Sequence, residues 1–218
     1  MPARSPTLVN AGHYENFPVA SVILPRRLRA PVRAIYAFAR AADDIADEGD
    51  APAEARLAAL DRYRANLWAL ARGEATDDPI LAPLGAAIRA HHPPFPPVHD
   101  LLDAFSQDCT QTRYAHFGEV MDYCKKSANP VGRLMLALYG DRDPKHQAWS
   151  DGICSALQLI NFLQDVAADH AKGRIYLPQD EMAKYGVSER QIAEGRVDGL
   201  WQIFFKTQVE RARRMLRA

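Results

Sequence analysis

Two short acidic strings carry the strongest chemical signal in this sequence: Asp43-Asp44-Ile45-Ala46-Asp47 and Asp165-Val166-Ala167-Ala168-Asp169. In each, two carboxylates stand four residues apart, so on a helix they share one face and can grip a common cation. The residues ahead of them extend each face. Tyr36, Arg40, Asp43 and Asp47 fall at i, i+4, i+7 and i+11, while Gln158, Asn161, Asp165 and Asp169 fall at i, i+3, i+7 and i+11. Both stripes run from hydrogen-bonding or cationic groups toward carboxylates at the C-terminal end of the helix. Acidic groups are unfavourable there, because the helix dipole is already negative at that end. A metal ion reverses the penalty. Mg²⁺ takes hard oxygen ligands, keeps several waters and bridges one or two carboxylates to phosphate oxygens. Two facing stripes of this kind are therefore suited to clamping Mg²⁺ ions on one diphosphate, with Arg40 binding residual phosphate charge as a fork and Tyr36 donating a hydrogen bond. A lone Asp-x-x-x-Asp is more often a solvated face. Here Gln158 and Asn161 stand among Ile160, Phe162 and Leu163, so their amides need partners that a purely structural helix would have to supply.

The elements that must hold these stripes read as helices throughout. Residues 1 to 30 are rich in proline and read as irregular, and Pro31 sits where a first helical turn tolerates it. A helix is predicted from Pro31 to Glu48, with Gly49 as its stop. Others follow over Pro52 to Arg72, Ile80 to Ala90, and Pro97 to Thr112 after the His91-His92-Pro93-Pro94 break. Glu119 to Tyr139 reads as a helix kinked at Asn129-Pro130. Trp149 to Asp169 is the strongest helix, followed by short ones over Gln179 to Tyr185 and Ser188 to Glu194. An amphipathic basic run from Leu200 to Ala218 closes the sequence. No alternating strand pattern or repeat appears. The fold class is all-α, one helical domain over 1–218 around a central cavity.

Composition narrows the function. With 27 basic and 27 acidic residues and 48% hydrophobic content, the chain is a globular protein without the basic excess of a nucleic-acid binder. Cys109, Cys124 and Cys154 form no Cys-x-x-Cys pair and leave an odd count, which fits a reducing cytoplasm. The first residues lack the apolar core of a signal peptide, and no apolar run reaches membrane-spanning length. A lipid-handling role would be peripheral. Phe204, Phe205, Lys206, Arg211, Arg213 and Arg214 have the composition of a helix that rests on a membrane surface, although such a face more commonly joins the core. His91, His92 and His99 lack a rigid ligand spacing and read as an exposed loop. Arg113 and Tyr114 suit either a diphosphate contact or packing at a helix entry.

At these residues the chain resembles the squalene/phytoene synthase family, whose members join prenyl diphosphates head to head. The resemblance runs through His13 to Pro25, Tyr36-Ala37-Phe38-Ala39-Arg40 with the first Asp pair, Tyr123-Cys124, Val131-Gly132, the second Asp pair and Arg174-Ile175-Tyr176. It implies an isoprenoid-synthase helical bundle, Mg²⁺ as cofactor, and Asp43, Asp47, Asp165 and Asp169 as its ligands. It places Arg40, Gln158, Asn161 and Tyr176 at the substrate diphosphate, Tyr36 beside them, and Tyr123 near the reacting carbons. The strings Glu15 to Ser21 and Ser127 to Leu134 look most like the branch that converts presqualene diphosphate to hydroxysqualene in hopanoid biosynthesis. That implies a prenyl diphosphate substrate, no NADPH, and neighbouring pathway enzymes that supply the substrate and consume the product.

Three departures from the family pattern stand out. Ser127-Ala128-Asn129 replaces a common Val-Ala-Gly, and Ser127 and Asn129 are candidates for holding the water that a hydroxylated product requires. The alternative is that they satisfy the kinked backbone. Gln164 stands where many relatives have Arg. Relatives continue through further C-terminal helices, so the sequence is expected to lack part of the cavity wall. The alternatives to the hydroxysqualene reading are condensation of two farnesyl or geranylgeranyl diphosphates to squalene or phytoene, and a non-catalytic relative serving in binding or assembly.

Overall fold

A computed structural model describes residues 24–217 and, among them, eleven helices with no strand beyond one isolated bridge between Arg113 and Ile175. Helix α1 (Arg26–Asp47) carries the first acidic string. It begins five residues before the predicted start, and Pro31 lies inside it rather than in its first turn. Pro25 caps the helix, so the price of Pro31 is one missing hydrogen bond to the carbonyl four residues back. Leu28, Val32, Phe38, Ala42 and Ala46 turn its buried side to the core.

Helices α2 (Ala53–Ala71), α3 (Leu81–His91) and α4 (Pro96–Asp108) pack around α1, and their Leu60, Leu67, Leu81, Leu84, Leu101 and Leu102 form the main core with Phe38. His99 lies within α4 against the Trp68 ring at 4.4 Å, not in an exposed loop. The predicted kink is a complete break, separating α5 (Phe117–Ser127) from α6 (Asn129–Tyr139) at Ala128. Helix α6 then lies on α7 (Pro144–Gln164) at Gly132. A β-carbon there would come within 2.2 Å of Ser150 Oγ and 2.7 Å of Cys154 Sγ, so any larger residue would force both side chains to move for the helices to approach this closely.

The predicted Trp149 to Asp169 helix is also two. Asp165, at φ −102° and ψ 12°, separates α7 from α8 (Val166–Ala171). Backbone bonds still bracket the bend, from Asp165 N–H to Asn161 O and from Asp169 N–H to Asp165 O. After α9 (Gln179–Lys184) and α10 (Glu189–Ala193), the long α11 (Gly199–Arg217) packs on α7, burying Phe204, Gln208 and Ala212. No described helix is long and apolar enough to cross a membrane.

Candidate active site

The site grows from the C-terminal end of α1. That helix has no basic residue in its last turn, and Arg56 of α2 supplies the missing donors, binding the carbonyls of Ile45, Gly49 and Ala51 at 2.9, 2.6 and 2.8 Å. The carbonyl end of the helix is thus anchored by a single guanidinium. Arg40 reaches Asp44, which lies off the predicted stripe, at 2.8 Å and the stripe carboxylate Asp43 at 3.4 Å. Burial, reinforced by Asp47, pushes the Asp43 carboxyl up to about 6.

Asp47 is already paired. Arg174 approaches one oxygen at 2.5 Å and Lys172 the other at 3.2 Å. Both cations come from the turn that follows α8, where Gly173 takes φ +80° and the Arg174 N–H closes on Asp169 O at 2.8 Å. This left-handed residue lets the chain fold back beneath α1. The same turn brings the second string into the site. Asp169 is half-buried, and burial together with Asp165 raises its carboxyl to about 6, with Asp47 adding to the effect. Asp165 itself is exposed at the bend. Of the amides ahead of it, Asn161 has a buried Oδ1 without a hydrogen-bond partner, and Gln158 is half-buried.

Two apolar features adjoin this charged end. Tyr36 and Ala39 line a cavity with Val32, Ile35, Leu101, Val131 and Met135, one turn before Arg40 along α1. Beside α5, an aromatic cluster stacks Tyr176 on Phe162 with centroids 4.0 Å apart and planes at 8°, while Tyr123 tilts against both. Tyr123 and Tyr176 donate their hydroxyls to one carboxylate, that of Asp108, at 2.6 and 3.0 Å. Tyr176 therefore belongs to the aromatic wall, with its hydroxyl donated to Asp108, which in turn faces the Arg174 that pairs with Asp47. Asp108 lies 3.8 Å from Arg174, and burial raises its carboxyl to about 7 against the lowering effect of the Tyr123 bond.

Asp108, Lys172 and the function of Arg174 as partner to Asp47 were not singled out by the sequence reading. For Asp108 a signal existed: it is a carboxylate in the last turn of a helix with no basic residue there, the same unfavourable placement that marked the Asp pairs. Among the water candidates, Asn129 is buried and its Oδ1 accepts the Ser155 hydroxyl at 2.8 Å, which serves the helix break. Ser127 Oγ is buried without a protein partner. Arg113 is held by Glu189 at 2.6 Å and by the Gly173 carbonyl, so it packs the α10 region against the Gly173 turn.

The residues fit a divalent cation. Three observations agree: two carboxyls raised by crowding and burial, an orphaned hard oxygen on Asn161, and two acidic strings brought to one turn. Among the described residues no three His, Cys, Asp or Glu side chains converge on a point that could hold a metal. An ion here would thus take one or two carboxylates and complete its shell with water and phosphate oxygens, the usual habit of Mg²⁺.

An all-α bundle with acidic helix ends gathered over apolar and aromatic walls defines the isoprenoid-synthase class. Within it, the model of the squalene/phytoene synthase family matches residues 10–218, and the chain belongs to that family. It is 39% identical to a hydroxysqualene synthase of Zymomonas mobilis over 183 residues, covering 81% of this chain and 59% of that protein. It is 42% identical to one of Rhodopseudomonas palustris over 175 residues, covering 79% and 58%. The chain thus spans about six tenths of the length of these curated relatives. The crystal structure of squalene synthase HpnC from Alicyclobacillus acidocaldarius superposes with a TM-score of 0.84 at 36% identity, covering 93% of this chain and 76% of that one.

Proposed function

We propose that this chain is a Mg²⁺-dependent isoprenoid synthase that converts presqualene diphosphate to hydroxysqualene with loss of diphosphate. The observation that carries the reading is the juxtaposition of a carboxylate cluster interleaved with Arg40, Lys172 and Arg174 and an apolar cavity that starts one turn away at Tyr36. A diphosphate with hydrocarbon chains needs both. The hydroxysqualene synthases above support the choice of branch.

Asp43, Asp47, Asp165 and Asp169, with Asn161, would hold Mg²⁺, whose charge would stabilise the departing diphosphate. Arg40 binds the same leaving group as a planar fork, and Lys172, half-exposed beside Asp47, adds a mobile point charge. These groups act on charge that develops as the carbon–oxygen bond breaks, so they lower the barrier rather than merely hold substrate. The apolar walls around Tyr36 bind the chains at roughly 25 cal/mol per Å² of area removed from water and keep stray water from the carbocation. One water must nonetheless be admitted. The buried Ser127 hydroxyl, four residues ahead of the cavity-lining Val131, is suited to hold it, whereas Asn129 is occupied in bonding Ser155. The product is water-insoluble, and exposed Leu200, Ile203, Val209 and Leu216 on the basic α11 suit contact with a membrane surface.

The test is product analysis by mass spectrometry after incubation with Mg²⁺ and either presqualene diphosphate or farnesyl diphosphate, without NADPH. Hydroxysqualene from presqualene diphosphate alone is expected. Squalene or phytoene from linear diphosphates, or no product from either substrate, would contradict the reading.

A further inference from the structure

The direction in which Arg174 reaches Asp47 depends on one peptide plane, the one that joins Gly173 to Arg174. Gly173 sits at φ +80°, and a glycine there can rotate its following peptide against little steric resistance, so the residue itself does not fix the plane. Hydrogen bonds at both ends of the peptide do. Its N–H, that of Arg174, donates to Asp169 O at 2.8 Å, and its carbonyl, that of Gly173, accepts from Arg113 Nη1 at 2.6 Å. The following N–H, that of Ile175, donates to Thr112 O at 3.0 Å. A side chain 60 residues away in sequence thus holds the far end of the plane from which Arg174 departs.

Arg113 can do this because it is itself held. Its Nε and Nη2 donate to the two oxygens of Glu189, the first residue of α10, at 2.6 and 2.9 Å, and Nη1 also donates to the Thr112 carbonyl at 2.8 Å. A planar fork binds a carboxylate along one edge and keeps further N–H groups for a carbonyl, which the single point charge of a lysine does not reproduce. The Arg113 and Glu189 side chains are 33% and 43% exposed, so as an ion pair they contribute little to stability. What the arrangement does supply is orientation.

We propose that Arg113, oriented by Glu189, is a positioning residue for the diphosphate end of the site: it locks the Gly173–Arg174 peptide so that Arg174 stays aimed at the acidic cluster, a role that rests on the isoprenoid-synthase reading above. Arg113 does not enter the cluster. It acts through Arg174, and α10 becomes part of the machinery that holds the turn after α8 in place.

Two measurements on Arg113→Lys, which keeps the charge and loses the fork, test it. Amide hydrogen exchange followed by NMR reads the lock in the substrate-free chain. Exchange of the Arg174 and Ile175 amides is expected to speed up by about tenfold or more while the amides of α4 stay within about twofold of the parent. Unchanged exchange at those two amides, or an equal rise throughout the chain, would overturn the proposal. Titration calorimetry with inorganic diphosphate and Mg²⁺ reads the consequence. Affinity is expected to fall on the order of tenfold, short of the roughly 100-fold that a displacement of about 1 Å can cause. In the Arg174→Gln background the same substitution is expected to change affinity less than about threefold, because its effect passes through that side chain. An equal loss in both backgrounds would make Arg113 a general stabiliser and overturn the proposal. A parent that binds no magnesium diphosphate would overturn the isoprenoid-synthase reading and the proposal with it, whereas parent and Arg113→Lys binding equally well would overturn the proposal alone. Should Arg113→Lys not fold, Glu189→Ala, which leaves the fork without its anchor, takes its place in the same comparisons.

Discussion

Asp47 and Arg174, 127 residues apart in the chain, meet at 2.5 Å with side chains only 16% and 10% exposed. This pair joins the end of α1 to the turn after α8 and so sets the separation of the two acidic strings. Removing one partner of such a shielded pair leaves the other charge uncompensated, at a cost of about 3–5 kcal/mol where burial is complete. Arg174→Gln is therefore expected to lower stability by roughly 3 kcal/mol, read from denaturant unfolding at unchanged m-value. A loss below about 0.5 kcal/mol would mean that the pair behaves as an ordinary surface bridge.

Asp43→Ala and Asp165→Ala should each abolish turnover while the helical circular dichroism stays intact. Both carboxylates are at least partly accessible, so neither is needed for packing. Near-normal activity in either variant would remove that residue from the metal-binding set.

The raised Asp43 carboxyl gives a pH signature. Its value of about 6, against 3.8 in an unperturbed carboxyl, means that the folded chain binds this proton more tightly than the unfolded chain between those pH values. Stability from this group is therefore fully present below pH 3.8 and lost as pH rises through 6. In metal-free buffer, Asp43→Asn should raise Tm at pH 8 and raise it much less at pH 5, and added Mg²⁺ should stabilise the parent more at pH 8 than at pH 5. An Asn effect that is larger at pH 5 would reverse the sign and defeat the burial argument.

Ser127 tests how water enters the reaction. Ser127→Ala removes a buried hydroxyl with no protein partner, so folding should be little affected while the ratio of alcohol to hydrocarbon product falls. Asn129→Ala should instead lower stability by about 1–3 kcal/mol, because Ser155 loses its acceptor. An unchanged product ratio in Ser127→Ala would assign that residue to the helix break alone.

The helices were legible because their signals are local. Apolar spacing and proline breaks placed α2, α3, α9 and α10 to within about two residues, and Ser188 makes the capping box that starts α10. The acidic stripes were legible for the same reason, since a four-residue spacing becomes a shared face on any helix. What lay beyond the sequence depends on tertiary context. The bend at Asp165 has no Pro or Gly to announce it and depends on how α8 packs against α10. The α1 start was misplaced because Pro31 is tolerated mid-helix at the cost of one bond. Arg174, Lys172 and Asp108 become site residues only when segments far apart in sequence meet. The strings from His13 to residue 23 that also carried the resemblance lie outside the described residues.

The most direct test of the central claim follows the oxygen. Presqualene diphosphate is incubated with the chain and Mg²⁺ in ¹⁸O-labelled water, and the alcohol and the released diphosphate are both analysed by mass spectrometry. Departure of diphosphate to leave a carbocation that water then captures is expected to place the label in hydroxysqualene and none in the diphosphate. Label in the diphosphate with an unlabelled alcohol would show cleavage at phosphorus, and would contradict the assignment of the acidic cleft and its apolar walls to carbon–oxygen ionisation.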